Sequence, residues 1–352
     1  MPAFKLNQTL AALCVGAASL LSFSVPADAC TRAVYVGENG LVITGRSMDW
    51  KDHIPANIWV FPQGMERQGE VGPNSVTWTS KYGSVITSSF DIATTDGMNE
   101  RGLVANLLWL AESEYPEYDG SEQGLSVAAW VQYVLDNFAS VSEAVDALQS
   151  EPFVVVSSEI PGTERFTTVH LSISDNSGDS AIFEYIDGAL VVHHSHDYRV
   201  MTNSPVFEQQ LALNSYWQQI GGTTMLPGTN RAADRFVRAA FYIDAIPRTD
   251  DQRVAVSSVF SVMRNVSVPY GISSPTEPNI SSTRWRAVAD QINLNYYFET
   301  ALTPSTFWVS LEQFDLSPGA EVKRLAVDHY QTYAGEASSH FETAQAFQFA
   351  GL

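Results

Sequence analysis

Ala27-Asp28-Ala29-Cys30-Thr31-Arg32 is the stretch on which the reading of this chain turns. Small residues at 27 and 29 are what a signal peptidase requires ahead of its cut, so Cys30 is expected to be the first residue left behind. The chain has two cysteines, and the other, Cys14, lies within the segment that cleavage would remove. The exported protein would then carry one thiol, on the residue that also bears its free α-amine. A nucleophile and a proton acceptor on one residue can form a complete catalytic unit.

The upstream residues support that cut. Lys5 gives a short basic start, and Leu10 to Val25 is apolar and rich in small residues. This run is short for a membrane span, and Ser22, Ser24 and Pro26 interrupt its end. Residues 1–29 therefore read as a Sec signal peptide, and residues 30–352 as one soluble domain, periplasmic or secreted, with no stable membrane anchor. The rival reading is a lipid anchor on Cys30, as in an exported lipoprotein or binding module. A lipobox wants Leu or a similar residue at −3 and a small one at −2, where this chain has Ala27 and Asp28. An unpaired thiol in an oxidising compartment asks for a chemical explanation.

Hydrophobic residues make up 45% of the chain and charged ones 16%, as in an ordinary globular protein. No repeat, low-complexity tract or linker marks a boundary. A formal charge of −20 argues against nucleic acid and anionic membranes as partners. Alternating, β-branched and aromatic segments predict strands at 31–36, 41–47, 57–61, 75–80, 84–88 and 103–110. Helical spacing follows at 125–138 and 142–149, then strands at 153–156, 167–174, 180–186, 189–194 and 198–202. Helices at 206–219, 231–246 and 250–265 precede late strands at 283–291, 294–300 and 306–311. Blocks of strands between blocks of helices suit an α+β fold of antiparallel sheets layered with helices.

Helpers for a terminal thiol would come from nearby strands. Arg46 and Asp49 lie three apart at the end of a predicted strand. A guanidinium near the sulfur would favour thiolate, and a carboxylate near the amine would hold and orient it. Alone, Arg-x-x-Asp at a strand end is usually a surface pair. His193-His194-Ser195-His196 is the most metal-like cluster, but no cysteine accompanies it, and hairpin-end histidines are expected there. Zincin, P-loop and α/β-hydrolase signatures are absent from the sequence. No metal or cofactor is called for.

Cys30-Thr31-Arg32, Gly45-Arg46-Ser47-Met48-Asp49-Trp50, the run Asp96 to Leu103, and Thr202-Asn203-Ser204-Pro205 together resemble the choloylglycine hydrolase family. The segments Pro227 to Phe236 and Ser267 to Gly271 add to the likeness, which spans the chain after residue 29. That family contains penicillin V acylases and conjugated bile salt hydrolases. The resemblance implies a four-layer αββα sandwich of N-terminal-nucleophile hydrolase type, with two mainly antiparallel sheets. It also implies hydrolysis of linear amides through an acyl-thioester on the cysteine. Cys30 matches the nucleophile, Arg46 the arginine beside the thiolate, and Asp49 the carboxylate next to the α-amine. Asn203 matches the side-chain donor of the oxyanion hole, and Arg235 the arginine that completes the polar network.

Trp109 departs from the family's usual Asn or Tyr, although its backbone N–H could still donate to an oxyanion. With Trp50 and Met48 it is expected to shape the acyl pocket, which suits an aromatic or long apolar acyl group. Both indoles could equally be core residues. Penicillin V-type amides come first as substrate, then acyl-homoserine lactones, then bile salt conjugates. A homo-oligomer, a tetramer among the choices, is expected. The short interval between Asn203 and Arg235 lacks the longer assembly hairpin of several Gram-positive relatives.

Overall fold

The computed structural model describes residues 30–273, 281–303, 305–329 and 331–352. The predicted signal segment lies outside these. β1 (Thr31–Val36) and β2 (Val42–Trp50) form a hairpin whose turn holds Asn39 and Gly40 at positive φ. β3 (Asn57–Phe61) is followed by a small hairpin of β4 (Glu66–Gln68) and β5 (Thr77–Thr79). β6 (Ser84–Ser89), β7 (Ala93–Asn99) and β8 (Val104–Trp109) form a meander. β9 (Gly124–Ser126) pairs in parallel with β10 (Val154–Val156), and α1 (Trp130–Asn137) and α2 (Val141–Leu148) lie between them in sequence.

A second meander joins β11 (Val169–Ser174), β12 (Ser180–Ile186) and β13 (Ala189–His194), and β14 (Val200–Met201) follows. Three helices come next: α3 (Phe207–Ile220), α4 (Ala232–Ala245) and α5 (Gln252–Asn265). The chain then forms β15 (Ser282–Asp290), β16 (Asn295–Thr300), β17 (Phe307–Ser310), β18 (Lys323–Ala326), β19 (Gly335–Glu336) and β20 (Glu342–Thr343).

Among the described residues these strands build two large sheets. One has the order β14-β1-β2-β15-β16-β17-β19, the other β13-β12-β11-β8-β7-β6-β3-β18-β20. Within them, only β17–β19 runs parallel. α4 and α5 cover β1 and β2 of the first sheet, and α1 packs on β7 and β8 of the second. This is the expected αββα sandwich. Gly45 shows how closely the first helical layer approaches. A Cβ there would stand 2.6 Å from Val259 Cγ1 of α5.

The seam between the sheets is unusually polar. Arg32 donates to Ile173 O at 3.0 Å and Ser180 Oγ at 2.8 Å. Tyr296 bridges Thr87 Oγ1 at 2.8 Å and Asp96 Oδ1 at 2.5 Å. Buried polar groups of this kind need partners, and Arg32 Nη2 and the Tyr296 hydroxyl have them, while Arg32 Nε has none among the described residues. The seam also accounts for the strand missing from the prediction. β7 turns Asp96 into the seam and Thr94 toward Gln132 of α1, so Ala93-Thr94-Thr95-Asp96-Gly97 lacks an apolar alternation. The helix predicted from residue 125 begins at Trp130. Gly124–Ser126 is strand instead, and Ser126 caps a 3-10 turn at Val127–Ala129.

Candidate active site

Cys30 immediately precedes β1 and is 2% exposed. The β1–β2 register pairs Thr31 with Ser47 and Arg32 with Arg46, which brings Cys30 alongside Met48. Side chains alternate along a strand, so Cys30, Arg46 and Met48 face the second sheet while Ser47 and Asp49 face the helices. Cys30 Sγ lies 3.6 Å from Met48 Sδ and 3.9 Å from Arg46 Nη2. Arg46 crosses the seam to donate to Leu107 O at 2.6 Å and to pair with Asp96 at 3.4 Å. Its Nη1 has no hydrogen-bond partner among the described residues.

The main-chain nitrogen of Cys30 faces β14 and α4. It donates to Asn203 Oδ1, which also accepts from Arg235 Nη2 at 2.9 Å. Arg235 Nη1 donates to Cys30 O at 2.7 Å and Thr31 Oγ1 at 2.5 Å, and stands 3.8 Å from Asp49 Oδ2. Asp49 accepts from the Thr283 hydroxyl and, at 3.4 Å, from Ser47 Oγ. The nitrogen is therefore held directly by Asn203, and the Asp49 carboxylate joins the cluster through Arg235.

Asn203 Nδ2 donates to Trp109 O at 2.7 Å. Trp109 faces Val169 across β8–β11, and the flanking Leu110 N–H bonds Thr168 O at 3.0 Å. That pattern makes Trp109 a non-hydrogen-bonded position toward β11. Its C=O meets Asn203, and its N–H lies on the same edge of β8, away from β11. Behind Asn203, His170 bonds Thr202 O at 2.7 Å through Nε2 and Glu184 Oε1 at 2.9 Å through Nδ1. Glu184 in turn accepts from Phe207 N–H at the start of α3, with both oxygens at 3.1 Å.

Burial pushes the Cys30 thiol up. Arg46 pulls it down, Asp49 adds to the rise, and the net shift is upward. Arg46 thus acts in the sense expected from sequence, but burial outweighs it. Burial likewise raises Asp49 to about 6, against the pull of Arg235 and the Thr283 hydrogen bond. The Arg235 guanidinium is lowered by the same desolvation, partly offset by Asp49.

The sulfur opens onto an apolar cavity of about 120 Å³, whose lining includes Met48, Trp50, Leu107, Trp109 and Ile160. Trp50 and Trp109 meet edge to face with ring centroids 5.4 Å apart. The Arg165 guanidinium lies 4.5 Å above the Trp109 ring. Trp109 Nε1 is buried and has no hydrogen-bond partner among the described residues. Both predicted pocket indoles therefore do line the cavity beside Cys30.

The family model for linear amide C–N hydrolases, choloylglycine hydrolase family, matches residues 30–328. The chain belongs to the choloylglycine hydrolase family. Its match begins at Cys30. A penicillin V acylase of Pectobacterium atrosepticum is 52% identical, covering 99% of this chain and 98% of its own. The solved penicillin V acylase of Agrobacterium tumefaciens superposes with a TM-score of 0.87 at 60% identity, over 92% of this chain and all of its own. A bile salt hydrolase/transferase of Clostridium perfringens is 29% identical over 77% of this chain and 89% of its own. This choloylglycine hydrolase family member is thus an N-terminal-nucleophile-type hydrolase of linear amide bonds, similar to penicillin V acylases.

Within that frame the structure brings Cys30, Arg46, Met48, Asp49, Asn203, Arg235 and Trp109 together. Sequence reading missed Thr283, which anchors Asp49, and the His170–Glu184 pair behind Asn203. Thr283 opens a predicted strand, and only the β2–β15 pairing of Asp49 with Thr283 reveals its role. The histidines around the end of β13 divide between two carboxylates, with His194 and His196 on Asp179 and His193 on Glu184. His194 Nε2 lies 2.8 Å from Asp179 and His193 Nε2 3.4 Å from Glu184. Among the described residues no group of three or more His, Cys, Asp or Glu is placed to hold a metal ion.

Proposed function

We propose that Cys30, freed at its nitrogen by removal of residues 1–29, is the nucleophile of a penicillin V acylase-like amidase. The observation that carries this reading is the orientation of the residue. Its sulfur faces the apolar cavity, while its nitrogen is held by Asn203 within the Arg235–Asp49 cluster. The thiol passes its proton to the adjacent α-amine as Sγ attacks the amide carbonyl. An α-amine of pKa about 8 suits that transfer. The Trp109 N–H and the second Asn203 Nδ2–H stabilise the oxyanion, a contribution of several kcal/mol for preorganised donors. The ammonium then protonates the leaving nitrogen and the C–N bond breaks, leaving a thioester on Cys30. Water, deprotonated by the same amine, releases the acid.

The substrate is an amide with an aromatic or long apolar acyl group. The unpartnered Trp109 Nε1 favours an acyl group that carries an acceptor oxygen, as a phenoxyacetyl group does. Penicillin V therefore ranks first, acyl-homoserine lactones second and conjugated bile salts third. The reading includes export and a homo-oligomeric protein. Intact mass of the exported protein is expected to give an unmodified chain starting at Cys30. A diacylglyceryl adduct would overturn the reading. Cys30→Ser is expected to lose at least a hundredfold in kcat for penicillin V. Undiminished activity would remove Cys30 from the role, and faster turnover of glycocholate would overturn the substrate order.

A further inference from the structure

We propose that Ala350 and the segment carrying it set the length of acyl group that the site accepts. This rests on the reading of Cys30 as nucleophile and concerns the opposite requirement, where the acyl chain goes. Ala350 lines the same cavity as Cys30. It is clipped in place by its backbone: Ala350 N–H donates to Ile92 O at 2.8 Å, and Ser126 Oγ donates to Ala350 O at 2.5 Å. Ile92, Ala93, Val127 and Ala128 line the cavity as well, so these two clips join the segment to an apolar wall. Hydrocarbon of the acyl chain suits such a wall, while a polar leaving amine does not.

The segment is firmly seated. Phe349 is 7% exposed, and Phe347 packs edge to face against Trp59 and Phe61 at 5.3 and 5.7 Å. Arg67 lies 5.5 Å over the Phe349 ring. The family model ends at residue 328, so this part of the wall lies outside it, while every residue touching the Cys30 sulfur or nitrogen lies inside. Acyl selection is therefore supplied partly by a segment that contributes nothing to bond cleavage. A methyl side chain at 350 leaves space in the cavity that a larger one would fill.

The test uses protein beginning at Cys30 and straight-chain acyl 4-nitroanilides from acetyl to decanoyl, which share one leaving amine. Ala350→Leu is expected to lower kcat/KM for the longest chains roughly tenfold or more, and to leave acetyl and butyryl within about twofold. Ala350→Gly is expected to move the optimum toward longer chains, and it keeps the test open if the leucine variant fails to fold. Thermal melting of each variant identifies such a failure. An unchanged length profile in both variants, or an equal loss at every length in a folded variant, would overturn the proposal. Failure of the nucleophile reading would show separately, as anilide hydrolysis that survives Cys30→Ser.

Discussion

Asp49 is expected to lower the stability of the protein at the pH where it works. Its carboxyl sits at about 6, raised by burial from an ordinary value of 3.8, even with Arg235 3.8 Å away. An acid whose folded value is raised binds its proton more tightly in the folded state. The associated stability is fully present below the unfolded value and is lost as pH rises through the folded one. At ~1.4 kcal/mol per pH unit, the gap between 3.8 and about 6 corresponds to about 3 kcal/mol. Asp49→Asn keeps the shape and removes the charge. In urea unfolding of protein beginning at Cys30, the variant is expected to exceed wild type by up to about 3 kcal/mol at pH 8. The advantage should shrink between pH 6 and 4 and vanish below. Activity should fall about a hundredfold at the same time, because the cluster around the Cys30 nitrogen loses its anion. A variant less stable than wild type at pH 8, or an advantage that ignores pH, would refute the reasoning.

Two further substitutions probe the scaffold of the site. Burial alone would raise Glu184, but hydrogen bonds from His170 and His193 outweigh it and hold the carboxyl at about 2, below its ordinary 4.5. That stability is present above 4.5 and is lost as pH falls toward 2, so Glu184→Gln should cost about 2–3 kcal/mol at neutral pH in urea unfolding. Its kcat should also fall, since Glu184 orients the imidazole on Thr202 O beside Asn203, and an unchanged kcat would separate the pair from the site. Gly45→Ala places a methyl 2.6 Å from Val259 Cγ1 and 2.9 Å from Met263 Cγ. It should lower stability by about 1–3 kcal/mol by pushing α5 off β2, as read by calorimetry.

Where apolar side chains alternate, the fold could be read from the chain. Asn57–Phe61, Ser180–Ile186 and Ala189–His194 fall as strands where the pattern puts them, and α3, α4 and α5 begin one or two residues inside their expected starts. The reading failed where polar residues face inward. β7 buries Thr94, Asp96 and Asn99 against the seam and an adjacent helix, so its sequence resembles a loop. The strands after residue 320 are two to four residues long, with little pattern of their own. The same division runs through the site. Arg46, Met48 and Asp49 lie on one strand and are visible as a local motif, and Asn203 and Arg235 became visible through resemblance. Thr283, Glu184 and Ala350 act across strand pairings or loop contacts that no local pattern encodes.

The start of β1 also suits the nucleophile role proposed for Cys30. A residue inside a strand commits its nitrogen to a peptide and its ladder hydrogen bonds to its neighbours. Cys30 lies one position ahead of the β1 pairing, which begins at Thr31↔Ser47, so its nitrogen is available to Asn203 while its side chain still obeys the strand's alternation. That alternation sends Sγ to the face where Arg46 and Met48 project, and leaves the nitrogen with Asn203, Arg235 and Asp49 on the helical side. The two halves of the chemistry are thus separated by the thickness of one strand. The sulfur meets an apolar cavity. The nitrogen meets a cluster in which burial opposes the charge on both Asp49 and Arg235. A single residue at the strand's start joins both, and moving the thiol by one position along β1 would turn it toward the helices and away from the cavity.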